Sequence, residues 1–418
     1  MPQATFSTIS ILGLGYVGLP TAAIFARSGK SVIGVDTQLE KVTNINQGRI
    51  DIVEPQLQPI VQQAVENGLF FATTTPKPAD AFIIAVPTPL TNNQPDISYI
   101  QAAALSIAPH LSKGNLIVLE STSPVGTTEQ LAKWLKQARP DLRFPFEEQT
   151  DIYIAYCPER VLPGKAMEEI VNNDRVIGGL SEKCTEQAVA LYQIFAKGQC
   201  LKTDARTAEL CKLVENSFRD VNIAFANELS MICDELNINI WELIELANCH
   251  PRVNILQPSA GVGGHCVAVD PWFIVSSVPK LAKLIRTARE INDKKSQWVV
   301  EKVKITLTEC AIKKDCKLSE LTIACLGLTF KADIDDLRES AALRITQQIA
   351  SWHSGNVVAV EPNIQSLSLN NIELVELDDA LTQADILVLL VDHSAFKKVD
   401  TKQISQQYII DCRGVWQK

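Results

Sequence analysis

Phe6-Ser7-Thr8-Ile9-Ser10-Ile11-Leu12-Gly13-Leu14-Gly15-Tyr16-Val17-Gly18 is the stretch on which the fold turns. A β-rich run, Phe6 to Leu12, leads straight into GxGxxG, and an apolar, alanine-containing segment from Thr21 to Ser28 predicts a helix behind it. A second strand follows at Ser31-Val32-Ile33-Gly34-Val35-Asp36, so the glycines lie inside a βαβ unit. In that setting Gly13, Gly15 and Gly18 let backbone approach a pyrophosphate, and the helix N-terminus offers N–H groups and the positive end of its dipole. Asp36 lies 21 residues after Gly15, where a dinucleotide fold sets a carboxylate against the adenosine ribose hydroxyls. That acid repels a 2′-phosphate, so the expected cofactor is NAD rather than NADP.

Further strands extend this half. Ala81 to Pro89 and Leu116 to Thr122 are continuous apolar runs that end in small polar residues and proline, as buried parallel strands do at their carboxyl ends. Ligands of open α/β sheets bind at that edge, making Thr88 and Thr122 candidates for cofactor contact, with helix caps or turn residues as the alternative. Ile152 to Tyr156 ends in Cys157-Pro158-Glu159-Arg160. Glu159 and Arg160 are readable as a base and an anion clamp, or as a surface ion pair.

The whole chain has 418 residues, too many for one core, with 46% hydrophobic and 21% charged residues. A net charge of −9 argues against nucleic acid or an anionic membrane as the main partner. Eleven cysteines without a CxxC pair read as reduced thiols, and the start of the sequence shows no secretory signal, so a cytoplasmic setting is expected. No metal site is indicated.

From about Asp204 the pattern turns helical. Val214, Phe218, Val221, Phe225, Leu229 and Ile232 recur at steps of three and four and predict one buried stripe. Lys212, Asn216 and Arg219 share another face, either a solvated one or one that points a cation and an amide into a cleft. A helical middle section is also a common place for subunits to pair, so a homodimer or higher oligomer is expected. The basic run Lys280 to Arg289 reads as an amphipathic helix. Between these helices lies Gly261-Val262-Gly263-Gly264-His265-Cys266-Val267-Ala268-Val269-Asp270-Pro271-Trp272, where glycines precede a cysteine at a bend. Cys266 is either a small buried hydrophobe or an accessible nucleophile.

The last region begins with the strand Leu321 to Thr329, and its Gln383 to Asp392 echoes Pro78 to Pro87. Two related doubly wound domains follow from that echo. The second has only Gly327 in place of GxGxxG, so it should bind something other than a second dinucleotide, with Lys331 and Arg338 as candidates for nucleotide phosphates. The expected architecture is α/β: two doubly wound Rossmann-like domains joined by a central helical domain, with boundaries at 1–203, 204–312 and 313–418. An NAD half, a phosphate-binding half and a thiol together suggest oxidation through a covalent thioester, because a thiol has no task in simple hydride transfer.

Gly13 to Pro20, Ser121-Thr122-Ser123-Pro124-Val125-Gly126, Cys157-Pro158-Glu159, Lys212 to Asn227, Gly263 to Asp270 and Phe330 to Ser340 resemble, in order, the signatures of the UDP-glucose/GDP-mannose dehydrogenases. The resemblance spans nearly the whole chain and implies a four-electron oxidation of a sugar C6 alcohol to a carboxylate, with two NAD reduced. It implies Cys266 as nucleophile, Lys212 and Asn216 as oxyanion or proton-handling groups, and Asp270 and Glu159 as acids near the hydrolytic water. Substrate positions fall on Arg160, Val161, Lys212, Asn216, Arg219, His250, Arg252, Gly263, Phe330, Lys331 and Arg413. Cofactor positions fall on the three motif glycines and on Tyr16, Val17, Asp36, Lys41, Thr88, Thr122 and Arg338.

Two departures bear on the substrate. UDP-glucose members carry a proline-lysine pair before the aspartate, where this chain has Ala268-Val269, and an acidic-glycine ending where it has Pro163-Gly164. Both disfavour UDP-glucose and GDP-mannose and leave a UDP-linked 2-acetamido sugar, of manno or gluco configuration, because inverting one carbon changes no charge. A hydroxyacid-type or 6-phosphogluconate-type dehydrogenase remains a rival, as does a non-catalytic NAD-binding regulator of the same fold.

Overall fold

The computed structural model describes residues 6–52, 54–161, 164–264, 266–364, 369 and 372–416; His265 and Pro163, quoted above, lie outside them. The chain divides into two compact units, Met1–Val214 and Glu215–Lys418. Among the described residues no helix is long and apolar enough to cross a membrane.

In the first unit, strands β1 (Thr8–Leu12), β2 (Ser31–Val35), β3 (Phe70–Thr73) and β4 (Ala81–Ile84) precede a two-stranded hairpin, β5 (Leu90–Thr91) and β6 (Gln94–Pro95). Strands β7 (Leu116–Leu119), β8 (Tyr153–Tyr156), β9 (Arg175–Gly179) and β10 (Cys200–Asp204) complete it. Apart from the hairpin, these form an eight-stranded sheet ordered β3-β2-β1-β4-β7-β8-β9-β10, the doubly wound order extended by two edge strands. Only β8 and β9 run antiparallel in it. The apolar runs behave as read: β4 and β7 are buried throughout. Ile83 and Val118 face one core layer with Ile9 and Phe25, while Phe82 and Ile117 face the other with Leu131. Alternate residues thus serve opposite helical layers, which is why no polar alternation shows in the sequence.

In the second unit, β11 (Thr322–Leu326), β12 (Asn356–Val360), β13 (Glu373–Leu374), β14 (Ile386–Leu389) and β15 (Tyr408–Asp411) form a parallel sheet ordered β13-β12-β11-β14-β15. The duplication expected from the sequence is therefore present: β11 lies between β12 and β14 as β1 lies between β2 and β4.

Two long helices, Ala205–Glu235 and Lys283–Lys314, carry the helical middle. Here one expectation is overturned. The stripe expected to be buried is largely exposed: Val214 is 47% exposed, Phe218 70%, Phe225 51% and Ile232 46%. The residues buried in the second unit mix Ala224, Ala226 and Cys233 with the polar Ser217, Asp220, Asn227 and Ser230. The polar ones meet equally polar residues of the Lys283–Lys314 helix. Arg289 donates to Asp220 at 2.6 Å, Asn292 to Asp220 at 2.8 Å, Asn227 to Asn292 at 2.8 Å, and Lys295 to Ser230 at 2.8 Å. Periodicity finds the apolar face correctly but does not say what covers it. Arg289, read from sequence as part of a basic amphipathic run, is 2% exposed and belongs to this seam.

Candidate active site

The strand registers align Val35, Leu12, Ile84, Leu119 and Tyr156 across β2, β1, β4, β7 and β8. The residues one step beyond, Asp36, Gly13, Ala85, Glu120 and Cys157, thus start the carboxyl edge where ligands bind in such sheets.

The three motif glycines separate by task. A Cβ on Gly13, whose φ is +91, would stand 2.4 Å from the Ala85 carbonyl oxygen, and one on Gly18 would stand 1.9 Å from the Gly13 oxygen. Those two close the turn and seat the helix. A Cβ on Gly15 would meet nothing within 4 Å, leaving its backbone open toward a ligand. No side chain caps the Gly18–Arg27 helix; in its first turn Leu19 N–H donates to Gly15 O at 3.1 Å and Pro20 carries no N–H, so the positive end of the helix dipole is what this terminus offers a pyrophosphate. Asp36 ends β2 half-buried, accepting from Leu14 N–H and Gln38 N–H at 3.0 Å each. The arrangement fits a dinucleotide. Tyr16 is 42% exposed at the turn, beside Val17, the N-cap residue of that helix. Lys41, early in the Leu39–Asn46 helix, pairs with Asp51 at 3.7 Å. Thr88 and Thr122 are both half-buried beyond the tips of β4 and β7, and Ser121 Oγ ties those loops together by donating to Val86 O at 2.7 Å.

Glu159 is not a surface ion pair. It is 8% exposed, accepts from Arg175 at 3.1 Å and from the Arg160 amide at 2.7 Å. Arg175, 4% exposed, also faces the rings of Tyr192 and Phe195 at 4.8 and 5.2 Å. Nearby, Glu120 accepts from Tyr192 Oη at 2.6 Å. Burial first, and the like charge of Glu159 second, push the Glu120 carboxyl up to about 7; burial also pushes the Cys157 thiol up to about 12. Apart from Glu159, this cluster escaped the sequence reading, although Glu120 lies within the Leu116 to Thr122 run quoted there. Glu209 escaped it too: its carboxylate accepts from the Gly126 and Thr128 amides at 2.6 and 2.7 Å and caps the Thr127–Ala138 helix. Arg160 is half-buried and reaches Asp174 O at 3.2 Å, with Val161 half-buried beside it. Lys212 is half-buried on the Ala205–Glu235 helix, one turn before Asn216.

In the second unit one backbone turn links Cys266 and Asp270. Cys266 is exposed, and its carbonyl accepts from the Asp270 and Val269 amides at 2.8 and 3.0 Å. Asp270, 2% exposed, opens the helix Asp270–Ser277 and accepts a short hydrogen bond from the Asn216 amide. The glycines before Cys266 have an intramolecular reason that sequence did not supply. A Cβ on Gly263 would stand 2.5 Å from Glu339 O, and one on Gly264 would stand 2.9 Å from the Phe330 ring. They let the loop before the thiol lie directly on the Phe330–Ser340 segment, where Gly264 N–H donates to Arg338 O at 3.3 Å.

Phe330 is half-buried and Lys331 exposed. Arg338 pairs with Asp336 at 2.6 Å. Arg413 donates to Asp392 at 2.9 Å and to Pro258 O at 3.0 Å. Arg219, His250 and Arg252 are exposed, with Arg252 N–H donating to His250 Nδ1 at 3.4 Å.

Residues 7–196 match the NAD binding domain of the UDP-glucose/GDP-mannose dehydrogenase family, residues 206–294 its central domain and residues 324–418 its UDP binding domain. The chain is 59% identical over 418 residues to a UDP-N-acetyl-D-mannosamine dehydrogenase of Yersinia pestis, covering 99% of this chain and 100% of the relative. It is 58% identical over 416 residues to an NDP-N-acetyl-D-galactosaminuronic acid dehydrogenase of Ralstonia nicotianae, covering 98% and 96%. Among solved structures, a UDP-D-ManNAc dehydrogenase from Pyrococcus horikoshii superposes with a TM-score of 0.87 at 39% identity, covering 98% of this chain and 96% of that one.

Proposed function

The chain belongs to the UDP-glucose/GDP-mannose dehydrogenase family, and from that premise we propose that it oxidises C6 of UDP-N-acetyl-D-mannosamine to the carboxylate, reducing two NAD. The observation that carries the substrate is the full-length 59% identity to the Yersinia pestis enzyme, joined to the Ala268-Val269 departure from UDP-glucose members. The similar identity to the Ralstonia nicotianae enzyme makes the galacto epimer the second reading, beside the gluco one.

Gly15 and Asp36 would hold NAD, which would supply the hydride acceptor for both oxidations. The chain's own residues do the rest. After the C6 alcohol has lost its first hydride and a proton, the Cys266 sulfur adds to the aldehyde carbon and gives a thiohemiacetal. Loss of the second hydride and a proton leaves a thioester, and water releases the carboxylic acid and returns the thiol. Lys212 and Asn216 face the negative charge that develops on oxygen in these steps; one such donor contributes about 3 kcal/mol. Asp270, held by the Asn216 amide, and Glu159, held by Arg175, serve the hydrolytic water. Arg160, Val161, Arg219, His250, Arg252, Gly263, Phe330, Lys331 and Arg413 hold the sugar nucleotide, and Tyr16, Val17, Lys41, Thr88, Thr122 and Arg338 the cofactor.

Three functional domains, 1–203, 204–312 and 313–418, accompany this reading, in line with the three family matches. The exposed stripe of Phe218, Phe225 and Ile232 supports a homodimer. Charged replacement, Phe218→Glu with Phe225→Glu, is expected to yield monomers by sedimentation. Eleven cysteines with no disulfide among the described residues fit a cytoplasmic enzyme. The deciding measurement is NADH yield with matched manno, gluco and galacto UDP-N-acetyl sugars. Two NADH per manno sugar is expected; one per sugar would sink the thioester route, and preference for another epimer would reassign the substrate.

A further inference from the structure

His393 follows β14 and is fully buried, yet the proposed chemistry gives it no task. Its Nδ1 lies 3.0 Å from the Asp333 backbone nitrogen and 2.9 Å from the Asn363 amide nitrogen. A backbone N–H only donates, so Nδ1 accepts and carries no proton. The proton is then on Nε2, which lies 3.2 Å from Glu361 Oε2 and 3.3 Å from Thr329 Oγ1. The imidazole is neutral, one tautomer is fixed, and both nitrogens are used.

The groups it joins are informative. Glu361 ends β12 and also accepts from the Leu328 and Thr329 amides at 2.7 and 3.1 Å. Asp333 sits at φ +60 in the segment after β11, and its carboxylate accepts from the Ser394 amide and hydroxyl at 2.8 and 2.6 Å. Thr329 Oγ donates to Lys331 O at 2.9 Å. His393 therefore clamps both ends of the turn Thr329-Phe330-Lys331-Ala332-Asp333. The same Phe330 ring packs on Gly264, two residues before Cys266.

We propose that His393 is a positioning residue for the sugar nucleotide: acting through Asp333 and Glu361, it holds Phe330 and Lys331 in the shape that receives the uridine diphosphate. The inference rests on the reading that Phe330 and Lys331 meet the sugar nucleotide. UDP alone, titrated by calorimetry into the full-length protein, is the probe. His393→Phe keeps the ring shape and removes the hydrogen bonds at both ring nitrogens. It should weaken UDP roughly tenfold or more and leave NAD affinity within about twofold. His393→Asn, which can still accept from the Asp333 amide at the Nδ1 position, should return UDP affinity to within about threefold of wild type. Asn363→Ala, at an exposed residue, keeps the test alive if His393→Phe does not fold. It should raise the sugar-nucleotide KM by about threefold with kcat and the NAD KM unchanged.

Unchanged UDP affinity in a folded His393→Phe protein overturns the proposal, as does an equal loss of NAD and UDP affinity or an unaltered KM in Asn363→Ala. Failure to oxidise any UDP-amino sugar would instead sink the proposed activity and leave the UDP titration readable.

Discussion

At the tip of β1, Gly13 adopts φ +91 and its N–H donates to Val35 O at 2.8 Å; at the tip of β11, Gly327 adopts φ +89 and donates to Val360 O at 2.9 Å. The next residue of each turn then donates to the acid ending the neighbouring strand, Leu14 to Asp36 and Leu328 to Glu361. The acids differ in what remains for a ligand. Asp36 is half-buried beside the open backbone of Gly15. Glu361 has no exposed side-chain surface and accepts from Leu328, Thr329, Asn363 and His393 of its own chain. Burial would raise the Glu361 carboxyl, but the hydrogen bonds from His393 and the Leu328 amide outweigh it and hold the group below its ordinary value. One architecture used twice thus leaves the strand-end acid half-buried in one half and turns it into internal bracing in the other. A shared fold does not carry a shared ligand.

The largest expected effect tests whether each half binds without the chemistry of the thiol. Cys266→Ala should lower turnover by on the order of 10⁴-fold while calorimetry shows NAD and UDP affinities near wild type. Loss of either affinity would mean that the thiol also serves binding. Next comes the division of labour among the glycines of the first half. Gly13→Ala forces a side chain into a positive-φ site against Ala85 and should cost about 3 kcal/mol or more in thermal unfolding. Gly15→Ala should leave the unfolding temperature nearly unchanged and weaken NAD.

A third effect comes from Glu120, beneath the NAD edge, for which the second half shows no counterpart among the described residues. Unfolded, this carboxyl ionises near 4.5, and folded near 7. Between those values the native state keeps a proton that the unfolded chain has released, so stability falls as pH rises through that window. The loss amounts to about 3 kcal/mol above pH 7. Glu120→Gln should remove it, raising stability at pH 8 and leaving it nearly unchanged at pH 4. The smallest effect addresses the acids directly. Asp36→Asn should weaken NAD about tenfold, or ~1.4 kcal/mol, and narrow the preference over NADP. Glu361→Gln should leave NAD binding alone.

The architecture was legible because its signals are local. Glycine spacing, apolar runs and an acid at a fixed distance describe a βαβ unit within a few dozen residues, and the echo of Pro78–Pro87 in Gln383–Asp392 exposed the duplication. Cys266 was singled out as a candidate by the glycines before it, and Asp270 only by the family resemblance. The Val214–Ile232 stripe misled because a period of three and four marks an apolar face whether another helix or another chain covers it. Glu120, Arg175, Glu209 and His393 were invisible for the opposite reason. Each is a single polar residue in an unremarkable context, and its partner is between 16 and 83 residues away in sequence.

The seam between the two long helices has a mechanical meaning. Apolar packing along helices yields to sliding by small increments, since one methyl contact replaces another. Charged and amide groups do not, because each has a specific partner: a one-turn shift of about 5.4 Å would strip Arg289 of Asp220, Asn292 of Asn227 and Lys295 of Ser230 in a single movement. The helices therefore behave as a toothed rack with one permitted notch, and any motion that carries them must carry them as a unit.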